Sequence, residues 1–315
     1  MRATERDACA NVIEPGDRTV LREIFAERVH FDEALAPYTS WKIGGPADAL
    51  VLVETEAELT QLMRLIFKRH LPWFVLGSGS NVLVGDGGVR GIVVRLGGGL
   101  STIEASAAGD AVVLRAGASA SMPQVVAQAA SLGAIGSEAL AGIPGVVGGA
   151  LRMNAGTDRE VGEFVRDVWV QTPSKPEPHA VTPQYFYRHT TLARDAIVVR
   201  VTLAFERGDP ATVRAALQRR LVRRKNTQPL QFPNAGSCFR NPADDKAGRL
   251  IEAAGAKGWY EGGAAVSELH ANFIVNRDNA KAADVAALLA RVRRAVSDAF
   301  GLELELEVHF VGVFL

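Results

Sequence analysis

The chain has 315 residues, 48% of them hydrophobic, enough for two domains with their own cores, and the composition excludes a disordered polymer. Its 35 basic residues balance its 35 acidic ones, so overall charge gives no support to binding of nucleic acid or a membrane surface. Cys9 and Cys238 stand far apart without a C-x-x-C, and the six histidines lack metal-ligand spacing, so neither a disulfide framework nor a metal site is expected and a reducing cytoplasm is the default setting.

The N-terminus, MRATERDACANVIEPGDRT, carries charges throughout and has no apolar h-region, so it does not read as a signal peptide. Residues 1–18 read as a mobile arm, and residues 19–30 as a short helix with Leu21, Ile24 and Phe25 on one face. Gly44, Gly45 and Pro46 mark a turn before a buried strand at 49–53. Thr55 and Glu58 form a capping-box pattern that opens a helix to about residue 70, and Pro72 ends it. A strand at 73–76 leads into the first glycine-rich stretch, GSGSNVLVGDGGVRG at 77–91.

Strands follow at 92–96 and 112–116. Ser121 with Gln124 repeats the capping-box pattern for a helix to about residue 132, with Gly133 suited to its C′ position. The second glycine-rich stretch is GIPGVVGGALRMNAG at 142–156. Residues 131–153 are mostly small and apolar, but Glu138, Pro144 and the glycines favour buried turns over a membrane span. Strands at 165–171 and 196–205 precede a boundary near 207–210. Beyond it lie a basic helix at 211–225, a helix at 247–254, a strand at 271–275, a long helix at 281–299 stopped by Gly301, and a closing strand at 302–310. The basic run of the first of these helices has a solvated face as its ordinary explanation; attraction of a phosphorylated ligand is the sharper one.

Glycine lets backbone N–H groups approach a ligand, and successive N–H groups make a nest for phosphate. A lone Gly-Ser-Gly serves hairpin turns as readily. Two such stretches suggest an extended ligand with a diphosphate in its middle. Neither is a P-loop, since no Gly-Lys-Ser/Thr follows, and Val82 stands where the third Rossmann glycine would be. A loop between strands, without a helix N-terminus, is therefore the expected diphosphate holder.

Eight segments in order then resemble one family. They are YTSWKIGGPAD (38–48), GSGSNVLVGDGGVRG, GIPGVVGGALRMNAG, YFYRH (185–189), NAGSCFRNP (234–242), AGRLIEAAGAKG (247–258), HANFIVN (270–276) and LELEVHFVG (304–312). Together they are similar to the UDP-N-acetylenolpyruvoylglucosamine reductases, in the shorter type that lacks a tyrosine-bearing insertion. The resemblance implies an α+β chain. Residues 31–206 would form an FAD-binding domain with two subdomains, of the fold shared with the vanillyl-alcohol oxidase (PCMH-type) group. Residues 207–315 would form a smaller α+β substrate domain whose last strand returns to the active site, and residues 1–30 an arm with its short helix. Lys42, the tail TDRE after NAG, Leu269 and Leu306 depart from the family pattern.

The implied reaction is NADPH-dependent reduction of an enolpyruvyl ether on a UDP-sugar through FAD, in peptidoglycan precursor synthesis. Carried over by motif, Ser237 is the proton donor, Arg188 steadies the carboxylate and enolate, and Glu307 is a proton-bearing partner of the intermediate. FAD contacts are expected from Gly77, Ser78, Gly79, Ser80 and Asn81, and from Gly142, Ile143, Pro144, Gly145, Gly148, Gly149 and Asn154. Lys225 and Asn241 match substrate-contact positions by distance from Ser237, and Cys238 reads as a packing residue. Alternation along 304–309 puts Leu304, Leu306 and Val308 on one face and Glu305, Glu307 and His309 on the other. No nucleic-acid or membrane partner is expected, and a monomer is favoured. An FAD-dependent carbohydrate or alcohol oxidase on the same fold is the alternative, with a non-enzymatic nucleotide-binding module third. The oxidase would re-oxidise rapidly in air and form peroxide.

Overall fold

The computed structural model describes residues 12–315, so most of the expected N-terminal arm, Cys9 included, lies outside the described residues. Helix α1 (Pro15–Phe25) starts earlier than its apolar spacing predicts, because Pro15 supplies a helical φ in the first turn; Leu21 and Phe25 are fully buried. The expected helix to residue 30 stops short. Residues 29–34 form strand β1 (Val29–Ala34) instead, with alternating burial, paired antiparallel with β2 (Pro46–Val53). Tertiary pairing outweighs local helix pattern here.

Helix α2 (Glu56–Arg69) is capped by Thr55, whose hydroxyl accepts from Glu58 N at 3.1 Å. The reciprocal half of the capping box is not made, because the Glu58 carboxylate accepts from Glu54 N at 2.9 Å and from Arg28 at 2.7 Å. Strands β3 (Trp73–Val75), β4 (Val82–Val84) and β5 (Val89–Leu96) follow, and the first sheet has the order β1-β2-β5-β3. The fully buried apolar run 92–94 of β5 suits its central place between parallel neighbours. Buried Asp48 secures its start, taking Arg90 at 2.6 Å and Gly91 N at 2.9 Å.

The second sheet is antiparallel, in the order β6-β7-β12-β8-β9, from β6 (Ile103–Ala108), β7 (Ala111–Gly117), β8 (Val165–Gln171), β9 (His179–Val181) and β12 (Ile197–Glu206). Between β9 and β12, β10 (Tyr185–Phe186) and β11 (His189–Thr190) make a small hairpin. Helices α3 (Met122–Ser131) and α4 (Val147–Arg152) pack on one face of this sheet in a continuous apolar core. Two expectations are corrected here. Ser121 makes no side-chain cap, and Pro123 at the second helical position has no N–H to offer one. The second glycine stretch is not all loop, as α4 lies within it. Among the described residues no helix is long and apolar enough to cross a membrane.

Helix α5 (Pro210–Thr227) is capped by Asp209, and its Val213 and Leu217 belong to the core of the second sheet. The C-terminal unit comprises α6 (Ala247–Ala253), a sheet of β13 (Tyr260–Glu261), β14 (Ala264–Val266) and β15 (Ile274–Asn276), and α7 (Ala282–Phe300), which buries six residues including Leu288 and Val292. The strand expected from residue 271 begins only at Ile274, because the buried Asn272 amide is held by Phe239 N at 2.9 Å and Phe239 O at 2.8 Å. The expected strand 302–310 reduces to β16 (His309–Val311), paired parallel with β4. Just before it, Arg240 N donates to Glu305 O and Glu307 N to Cys238 O, both at 2.8 Å. In that irregular stretch Leu304 and Val308 are buried, whereas Leu306 is 36% exposed, so the expected alternation fails at one position.

Two ties join this unit to the first sheet. Fully buried Trp41 donates from Nε1 to Ile274 O at 2.8 Å, and Asn276 Nδ2 returns to Trp41 O at 2.9 Å. Asp86, in the first glycine stretch, accepts from Ala282 N at 2.9 Å and Ala283 N at 3.0 Å, capping α7 from a distance. A carboxylate there satisfies two orphan donors and opposes the positive end of the helix dipole. Asp86→Ala is therefore expected to cost about 1–2 kcal/mol in a urea titration and to leave FAD affinity unchanged. Unchanged stability with weakened FAD binding would contradict the capping role.

Candidate active site

The two glycine-rich stretches meet. A Cβ on Gly77 would lie 2.9 Å from Val146 Cγ2, and one on Gly145, whose φ is +87°, would lie 2.8 Å from Ser80 Oγ. Only glycine at 145 combines that backbone with that approach. Next to this junction opens a cleft of about 170 Å³. Ser80 and Asn81 line it from the first stretch, and Gly142, Ile143, Pro144 and Gly149 from the second. Ser237, Arg188 and Glu307 line the same cleft, although 119 positions separate Arg188 from Glu307.

The local architecture explains each placement. Arg188 occupies the tight turn between β10 and β11 with φ +55°, a left-handed backbone that costs a non-glycine residue roughly 1 kcal/mol. Buried Asn154 fixes that hairpin, donating from Nδ2 to Phe186 O at 2.9 Å, bonding Glu160, and accepting from Gly162 N at 2.9 Å. Arg188 Nε then donates to Glu307 Oε1 at 2.8 Å, and its Nη2 to Gly156 O at 2.9 Å. Glu307 is held from its main chain, with its N on Cys238 O and its O on Asn81 Nδ2 at 3.1 Å. Ser237 precedes Cys238, so the hydroxyl and the carboxylate sit on adjoining strands of chain. No hydrogen bond engages the Ser237 hydroxyl among the described residues. A turn serine would bond nearby backbone N–H groups; this one is left for the cleft.

Burial raises the Glu307 pKa above the ordinary carboxylate value, and the Arg188 charge pulls against that rise. The pair therefore presents one fixed cation and one carboxyl able to hold a proton. The thiol of Cys238 is fully interior and pushed up to about 12 by burial, which suits packing and not nucleophilic work.

Other expected contacts stand elsewhere. Gly77, Ser78, Gly79 and Gly145 form the loops and Gly148 lies in α4, but none of them reaches the cleft wall, and Asn154 lies behind it. Lys225 is exposed on α5, and Asn241 is exposed with its Oδ1 accepting from Ala247 N at 3.1 Å, ahead of α6. Lys42 turns its Nζ back to Pro37 O at 2.9 Å. Conversely, Met153, Phe273, Arg224 and Gln228 line the cleft without having been expected there. The helical period is the missed signal: Leu217, Arg220 and Arg224 form one stripe of α5, running from the core to the cleft, with Gln228 at its C-cap. A larger groove of about 570 Å³ on the outer face of the second sheet mixes Arg115 and Arg200 with Glu56, Glu104 and Asp167, and none of the expected reacting groups reaches it.

Residues 47–172 match the FAD binding domain, and residues 228–311 match the C-terminal domain of UDP-N-acetylenolpyruvoylglucosamine reductase. The chain is 44% identical over 299 residues to UDP-N-acetylenolpyruvoylglucosamine reductase 2 of Symbiobacterium thermophilum, covering 94% of this chain and 95% of that one. Identity to the corresponding reductase of Moorella thermoacetica is 43%, over 89% of this chain and 92% of the relative. The crystal structure of UDP-N-acetylenolpyruvylglucosamine reductase from Thermus caldophilus superposes with a TM-score of 0.77 at 36% identity, covering 89% of this chain and 97% of that one. An FAD-binding α+β domain followed by this smaller C-terminal domain defines an FAD-dependent oxidoreductase. The chain belongs to the UDP-N-acetylenolpyruvoylglucosamine reductase family.

Proposed function

We propose that the chain reduces the enolpyruvyl ether of UDP-N-acetylglucosamine enolpyruvate to UDP-N-acetylmuramate, with NADPH as reductant, in the cytoplasm and for peptidoglycan synthesis. The observation that carries this reading is the Arg188–Glu307 pair in one cleft with the unengaged Ser237 hydroxyl. The cleft also fits FAD at its ring end: the Arg224 guanidinium has no acceptor among the described residues, and Gln228 Oε1 is buried without a donor, so both call for a polar ligand. Its volume suits one ring system, and the diphosphate would run out along the paired glycine stretches. Residues 31–206 hold the cofactor in this reading and residues 207–315 the substrate, with the start of α5 packed on the former.

FAD, when bound, supplies the electron pair that NADPH provides. The chain's own groups do the rest. Arg188 offers a guanidinium edge to the substrate carboxylate and steadies charge developing beside it. Ser237 holds the proton destined for the carbon that bears the carboxylate. Glu307, kept protonated more readily by burial, keeps a second proton next to the enol oxygen.

Two expectations test this reading. The protein should carry one non-covalent FAD per chain, released intact on denaturation; a colourless protein that takes up no FAD would remove its basis. No separate nicotinamide fingerprint is present, so NADPH and the sugar nucleotide should use the cleft in turn. Initial-rate plots at several NADPH concentrations should then be parallel, and a ternary complex with both bound would contradict shared occupancy.

A further inference from the structure

Arg224 and Gln228 stand about one turn apart near the C-terminal end of α5, and both line the cleft. Burial lowers the pKa of Arg224, yet no carboxylate, carbonyl or hydroxyl among the described residues accepts from its guanidinium. The side chain lies over Gly142, where a Cβ would run into it, so the second glycine stretch leaves room for this arginine. Beside it, Gln228 Oε1 is buried with no donor among the described residues. A half-buried guanidinium without a protein acceptor and a buried acceptor without a donor thus line the same cleft, and the second is costly unless a ligand satisfies it.

The pairing discriminates between ligand chemistries. A phosphate offers acceptors only; it would answer Arg224 and could meet Gln228 only through the amide N–H groups, leaving Oε1 without a donor. An imide edge, with an N–H flanked by two carbonyls, answers both groups at once. We propose that Arg224 and Gln228 read the imide edge of the flavin ring, Arg224 donating to a ring carbonyl and Gln228 Oε1 accepting from the ring N–H. Uracil carries the same edge. The location decides for the flavin: Ser237, Arg188 and Glu307 line the same small cleft, whereas the uracil of a sugar nucleotide is held away from the reacting end by a diphosphate and a sugar. A fixed cation beside that carbonyl stabilises electron density arriving on the ring, so it also raises the reduction potential.

This inference rests on the FAD reading above, and the test separates the two. Apoprotein is titrated with FAD and with FAD methylated at the imide nitrogen, for the wild-type chain, Gln228→Ala and Arg224→Gln. Wild type should bind the methylated cofactor about 10- to 100-fold more weakly, the worth of one buried hydrogen bond plus a clash. Gln228→Ala should bind both cofactors alike. Arg224→Gln should lower the midpoint potential of bound FAD and leave UDP affinity of the apoprotein unchanged. Apoprotein that takes up no FAD would sink the FAD reading itself. Equal wild-type affinity for the two cofactors, or a penalty that survives in Gln228→Ala, would overturn the imide contact alone. Loss of UDP affinity in Arg224→Gln at unchanged potential would instead assign the pair to the nucleotide. The methylated cofactor probes the wild-type chain, so the test stands even if a variant folds poorly.

Discussion

Ser237→Ala should lose anaerobic flavin absorbance on mixing with NADPH at close to the wild-type rate, and then fail to recover it when the enolpyruvyl sugar nucleotide is added. The two steps part because only the second requires a proton for carbon. Removing a general acid costs about 10²- to 10⁴-fold in rate, whereas losing a turn hydrogen bond would cost roughly 1 kcal/mol of stability and spare the rate. The structure favours the former, since among the described residues the hydroxyl makes no bond that its loss could break. Cys238→Ala should leave both steps largely intact, because its thiol is buried and faces packing partners. Ser237→Cys should retain part of the second step, as a thiol can also donate a proton. Stopped-flow absorbance of each step separately decides the matter. Equal slowing of both steps in Ser237→Ala, or normal recovery, would remove Ser237 from the proton-donor role.

Arg188→Gln should slow the second step by about 10²- to 10³-fold, the usual cost of deleting one preorganised electrostatic donor. It should also move the pH profile. Burial raises the Glu307 pKa and Arg188 opposes that rise. Deleting the cation removes the opposing influence, so Glu307 holds its proton to higher pH. If its protonated form serves the reaction, the alkaline limb of the second step should shift upward in Arg188→Gln while the maximum falls. Arg188→Lys should recover the position of that limb but only part of the rate, because an ammonium keeps the charge and lacks the planar fork. An unmoved limb, or one displaced to lower pH, would show that Glu307 does not titrate in that step.

Part of the site is legible in short segments of unusual composition, and its reacting groups are legible only through the family resemblance. The two glycine stretches stand out by composition, whereas Arg188 of YFYRH and Ser237 of NAGSCFRNP are singled out only by the family resemblance; the structure brings residues of all four segments to one cleft. The helices α2 and α7 are equally plain, with periodic apolar faces and stop signals at Pro72 and Gly301, although the left-handed cap of α2 falls at His70. What escaped depended on partners distant in sequence. Strand β1 forms where the chain reads as helix, because β2 pairs with it. The stretch 302–308 stays irregular because it lies along residues 238–240, which its own alternation cannot report. Asp86 looks like part of an anion loop and caps a helix 196 positions away. Arg224 was hidden in a basic run, where only its phase relative to Leu217 marks it as facing inward.

The proposed activity passes electrons from NADPH through FAD to an enolpyruvyl sugar nucleotide. The most direct measurement is anaerobic mixing of the purified holoprotein with one equivalent of NADPH, followed by one equivalent of UDP-N-acetylglucosamine enolpyruvate, with flavin absorbance followed and the nucleotide analysed afterwards. The account predicts loss of absorbance in the first step, full recovery in the second, and one UDP-N-acetylmuramate formed per FAD. Absorbance that returns only on admitting air, with the enolpyruvyl compound unchanged and peroxide formed, would contradict it.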